Sequence, residues 1–72
     1  MGVHLHVRIK LSYQGNQKTI DSEDKITVKE ILSKAGISSS MVLVCNNDRI
    51  IPQTSTITSD IELDVIDVGS GG

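Results

Sequence analysis

The chain contains no tryptophan and no phenylalanine, and its one aromatic residue is Tyr13. Single-stranded nucleic acid is normally held by bases stacking on aromatic rings, and that platform is missing. A basic excess is missing too. Seven Lys and Arg stand against nine Asp and Glu, for a net charge of -2 and a pI near 5.5. Nucleic acid as a partner is therefore not expected, because its backbone selects a clustered basic face. No apolar run approaches the roughly 20 residues that a membrane span requires. Met1 to His6 shows no signal-peptide apolar region, and His6 stands where a myristoylation site wants Ser or Thr. With one cysteine, Cys45, the chain cannot staple itself, so a reducing cytoplasm is the expected compartment.

Seventy-two residues make one domain, which buries only about 60% of the surface its unfolded chain exposes. There is little volume for a deep catalytic cleft. What the chain does have is Val, Ile and Leu, and the β-branched ones favour strands. Val3, Leu5, Val7, Ile9 and Leu11 alternate with His4, His6, Arg8 and Lys10, the period of a strand with one wet face. Gln14 to Gln17 supplies a turn, and Lys18 to Asp21 returns as a second strand.

Thr27 and Glu30 have the spacing of a helix capping box. Val28, Ile31, Leu32 and Ala35 follow at helical spacing, and Gly36 sits where a left-handed cap is wanted, with Ile37 as its apolar clasp. The helix spans about ten residues, too short to stand alone, so it must lie on the sheet. Met41 to Cys45 reads as a strand, Asn46 to Asp48 as a turn, and Arg49 to Ile51 as a short strand stopped by Pro52. Gln53 to Ser59 reads as polar loop with Ile57 as its core anchor, and Ile61 to Val68 as the last strand. That strand is expected beside the first and parallel to it, with the helix across one face. The result is a small α+β domain over residues 1–68 with a mixed sheet of four or five strands. Val3, Leu5, Val7, Ile31, Leu32, Leu43, Leu63 and Val65 are expected on the helix side.

After that strand come Gly69, Ser70, Gly71 and Gly72. Residues without side chains cannot contribute to a core, so 69–72 is expected to be a flexible tail that threads a narrow slot. Along the last strand the parity breaks. Ile66 and Val68 fall on the face opposite Leu63 and Val65, beside Glu62 and Asp64. With Leu43 and Cys45 turned inward, Val44 would join Ile66 and Val68 in an exposed docking patch.

The element order, the length and the Gly-Gly pair together resemble the ubiquitin-like β-grasp family. The resemblance is nearer to its prokaryotic branch of sulfur carriers and small modifiers, which serve thiamin, molybdopterin and tRNA thiolation or are joined to proteins in archaea. Val44-Cys45-Asn46-Asn47-Asp48-Arg49-Ile50-Ile51-Pro52 is similar to the strand-turn-strand of the thiamin-type carriers. Asp60-Ile61-Glu62-Leu63 is similar to their entry into the last strand, with Ser59 in place of the usual Gly.

The resemblance implies that a partner of the ubiquitin-activating type adenylates the Gly72 carboxylate. A persulfide donor then gives a thiocarboxylate, or a thiol or lysine amine gives a thioester or isopeptide bond. ATP and magnesium belong to the partner, so the chain is expected to be a monomeric co-substrate with no cofactor and no catalytic residue of its own. An interaction module with an incidental Gly-Gly end is the alternative. A metal or redox site at His4, His6 and Cys45 is a weaker contrast. A third imidazole or carboxylate ligand is not indicated there, and Cys45 reads as a small buried hydrophobe.

Overall fold

Alternation in the first segment builds strand β1, Val7–Tyr13, with Val7, Ile9 and Leu11 buried and Arg8 and Lys10 exposed. The computed structural model describes residues 6–68. Val3, Leu5 and His4, expected on the first strand, and Gly69 to Gly72 lie outside the described residues. Gln14 and Gly15 both take positive φ, 51° and 79°. Two such residues in succession match the twist of a tight hairpin, and the chain returns antiparallel as β2, Asn16–Ser22.

After a polar bend, Ile26–Thr27 forms a short strand, β3, that runs directly into helix α1, Val28–Ala35. Thr27 Oγ1 accepts the Glu30 amide at 3.2 Å, and Glu30 Oε1 accepts the Thr27 amide at 3.1 Å. Two donors that the first helical turn leaves free are thus satisfied reciprocally. The other end stops at Gly36, whose φ is 77°. Its amide donates to the Ser33 carbonyl at 3.1 Å, and that of Ile37 to the Leu32 carbonyl at 2.9 Å. Ile37 is buried behind the cap, so the expected clasp is present. Lys18 Nζ, from β2, donates to the Ala35 carbonyl at 2.9 Å and ties the helix end to the sheet edge.

A single 3-10 turn, Ser39–Met41, leads into β4, Val42–Asn46. Asn47 and Asp48 turn with positive φ into the short β5, Arg49–Ile50. Pro52 follows, and β6, Thr56–Ile57, pairs with β3 as a two-stranded ribbon. Ile57 is buried as expected; Ile26, its partner across the ribbon, is also buried. The last strand, β7, is Ile61–Asp67.

The main sheet has the order β2-β1-β7-β4-β5. β7 lies parallel to β1 and antiparallel to β4, so the last strand is central, as its alternation requires. Asp60 secures its entry by accepting the Arg8 amide at 2.8 Å. Val28, Ile31, Leu32 and Ala35 of α1 pack with Val7, Ile9, Leu11, Leu63 and Val65 into one aliphatic core.

The structure corrects one phase. Val44 is 1% exposed and belongs to the core, whereas Leu43 is 39% exposed on the opposite face. Cys45 lies on the outer side with Leu43 and is half-buried. The register explains this. Val44 is opposite Val65 on β7, and Leu43 is opposite Ile66, so β4 inherits the parity of β7.

Candidate docking face

The sheet face opposite α1 is made from the residues that alternate with the core residues along each strand. β7 contributes Glu62, Asp64 and Ile66, β1 contributes Arg8, Lys10 and Ser12, and β4 contributes Leu43 and Cys45. The two ends of this face differ in chemistry. At the entry of β7, Arg8 Nε lies 3.2 Å from Asp21 Oδ1, and Lys10 Nζ lies 3.9 Å from Glu62 Oε2. His6 Nε2 lies 3.7 Å from the same Asp21 oxygen. These are exposed pairs, each contributing at most about 1 kcal/mol.

At the exit of β7 the face is apolar. Ile66 is 49% exposed and Val68 53% exposed, as the parity break predicts. Leu43 is the direct neighbour of Ile66 across the ladder. The Val68 amide donates to the Met41 carbonyl at 3.0 Å, which brings exposed Met41 alongside. Ile50, opposite Cys45, extends the apolar surface across β5. Of the three residues expected in this patch, Ile66 and Val68 are on it and Val44 is beneath it. Leu43, Met41 and Ile50 were missed. The signal that finds Leu43 is the β4–β7 register, because the run from Met41 to Cys45 is apolar at every position and carries no phase of its own.

Behind the exit of β7 lies a hydrogen-bonded tie. Tyr13 Oη donates to Asp67 Oδ1 at 2.8 Å, and Gln14 Nε2 donates to Asp67 Oδ2 at 2.7 Å. The bond to Asp67 holds the Tyr13 phenol above its ordinary pKa, with desolvation and the carboxylate's charge acting the same way. The hairpin turn β1–β2 is thereby fastened to the strand that leads toward Gly71 and Gly72.

Among the described residues, no group of three or more His, Cys, Asp or Glu is arranged to hold a metal ion. No helix among them is long and apolar enough to cross a membrane.

No family model and no curated protein sequence matches this chain. Solved structures do. One chain of a structure described as the crystal structure of a pParkin-pUb-UbcH7 complex superposes with a TM-score of 0.69 over 90% of this chain, at 13% identity. This chain spans about a quarter of that one, 24% of its length. The likeness shows the fold. The five-stranded mixed sheet with one packed helix is a ubiquitin-like β-grasp.

Proposed function

We propose that the chain is a ubiquitin-like carrier or modifier whose reactive group is the Gly72 carboxylate. In this reading an ATP-dependent activating enzyme docks on the face formed by Leu43, Ile66 and Val68. The carboxylate attacks the α-phosphate of ATP, pyrophosphate leaves, and an acyl adenylate forms. The outer sulfur of a persulfide then displaces AMP to give an acyl disulfide, which a second thiol of the sulfur donor or activating enzyme cleaves to release the thiocarboxylate and leave a disulfide. Alternatively a thiol displaces AMP to give a thioester, and a lysine amine displaces the thiol to give a conjugate. ATP, magnesium and any activating cysteine are the partner's, and the chain is a co-substrate.

The observation that carries this reading is the position of the apolar strip. It sits at the exit of β7, and Val68 is followed four residues later by Gly72. Four residues of extended chain span at most about 14 Å, so little chain separates a partner seated on Leu43 and Ile66 from the glycine pair. Two glycines there let the carboxylate oxygen approach the α-phosphorus without a Cβ in the way, and misplacement by about 1 Å costs on the order of a hundredfold in rate.

A second reading is favoured by a different observation. The strip formed by Met41, Leu43, Ile50, Ile66 and Val68 lies wholly before Gly69, and a partner can be seated on it without the tail. The similar solved chain also carries this fold as a minor part of its length. In that reading the chain is a β-grasp interaction module.

ATP–pyrophosphate exchange with the cognate activating enzyme separates the two. The 72-residue chain ending at Gly72 supports exchange, and the chain lacking Gly71 and Gly72 does not. Gly72→Ala folds normally and exchanges poorly. Equal exchange from intact and truncated chains removes the carrier reading and leaves the module.

A further inference from the structure

The face that receives the partner is acidic as well as apolar, and this fixes the partner's chemistry. Asp64 is two residues from Ile66 on the same face of β7, roughly 7 Å away along the strand. It lies opposite Ser12 on one side and Cys45 on the other, neither of which neutralises it. Among the described residues its carboxylate has no hydrogen-bond or ion-pair partner, whereas Asp21 and Glu62 have theirs. Neither β4 nor β7 carries a lysine or an arginine. Of the basic residues of this face, Arg8 is at the far end, and Lys10, diagonal to Asp64 across the β1–β7 ladder, lies 3.9 Å from Glu62 Oε2. Beside Asp64 the surface sinks into a polar depression of about 570 Å³, lined by three carboxylates, Asp60, Glu62 and Asp64, against one cation, Lys10, with Ser12 and Asn46 among the neutral groups.

We infer that this face binds a protein segment that presents an aliphatic side chain to Leu43 and Ile66 and, about 7 Å away, an arginine or lysine to Asp64 and the depression behind it. The inference builds on the docking face assigned above and names what sits on it. The other occupants fit worse. Nucleic acid and anionic lipid would meet unneutralised acid. A cationic side chain converts Asp64 from an uncompensated charge under the incoming partner into a charge-assisted hydrogen bond. The depression has room for a guanidinium with water around it.

The test does not depend on adenylation. A random peptide library displayed on phage is selected on the immobilised 72-residue chain. It is counter-selected on the Leu43→Ser/Ile66→Ser variant, whose changes are both at exposed positions. The expected winners pair an aliphatic residue with Arg or Lys two positions away in an extended peptide. Their affinity falls as salt rises, and falls about tenfold or more in Asp64→Lys, as like-charge contacts across an interface do. Repeating the selection on Asp64→Lys is expected to yield acidic winners. Melting of both variants is measured alongside to show that they fold. Winners lacking a cation, winners indifferent to Asp64→Lys, or no enrichment at all each overturn the inference. Any of these leaves the carrier reading standing. Failed pyrophosphate exchange with the basic preference intact does the reverse.

Discussion

Leu43 and Ile66 face each other across the antiparallel β4–β7 ladder, both exposed, while the next pair, Val44 and Val65, is buried. One residue of register therefore separates the core from the exposed apolar face. Ile66→Asp is expected to leave thermal unfolding nearly unchanged, because the new carboxylate points into water. Val44→Asp is expected to unfold the chain, because it buries a charge among aliphatic side chains. Circular dichroism melts of the two variants check this. An Ile66→Asp chain that fails to fold would place Ile66 in the core and remove the docking face.

Leu63 tests the core directly. It is 1% exposed on the central strand, between β1 and β4. Leu63→Ala is expected to cost roughly 2–5 kcal/mol, the usual loss for such truncations. For a domain of this size each kcal/mol lowers the melting temperature by about 4–8 °C. An unchanged melting temperature would show that the sheet is not wrapped around Leu63.

The fold was legible where residue type and position agreed. Alternation in β1, the Thr27–Glu30 box, Gly36 with Ile37, and the alternation of β7 each specify one conformation, and together they leave few topologies. The β3–β6 ribbon was not legible. Two residues on each side, Ile26–Thr27 and Thr56–Ile57, are too few to show a period. They pair because α1 has to start where Ile26 reaches the core. The exposed apolar strip was half legible. β7 advertises Ile66 and Val68 because Glu62 and Asp64 mark its outer side. β4 has no polar residue between Val42 and Cys45 to mark either side, so its phase is set only by the neighbour it pairs with.

The helix termini give a prediction of smaller size. Thr27→Ala removes the acceptor of the Glu30 amide and is expected to cost about 0.5–2 kcal/mol, with Thr27→Ser close to neutral. Gly36→Ala meets no neighbouring atom, since nothing lies within 4 Å of the added Cβ, yet its φ of +77° is strained for any side chain. The expected cost is about 1–2 kcal/mol, all of it in the backbone. Chemical denaturation of the three variants checks the order. A neutral Gly36→Ala would mean that the cap relaxes out of the left-handed region.

Tyr13 and Asp67 supply the pH-dependent contact. The phenol donates to the carboxylate, so ionising it would set two negative charges side by side, and its pKa in the fold is raised. A raised pKa means that the fold favours the protonated phenol. The contact's stabilisation is complete below the ordinary phenol range and disappears as pH rises through the raised value. A near-ultraviolet titration is simple to read because Tyr13 is the one tyrosine. Its midpoint is expected above that of free tyrosine. Asp67→Asn is expected to bring the midpoint down toward the ordinary value, because the amide carries no charge and is a weaker acceptor. Tyr13→Phe should leave the fold intact while loosening the β1–β2 turn from β7, seen as faster amide exchange at Gln14 and Asp67. A titration midpoint that does not respond to Asp67→Asn would show that the pair is not joined in solution, and that the strand leading to the glycine pair is held by its ladder bonds alone.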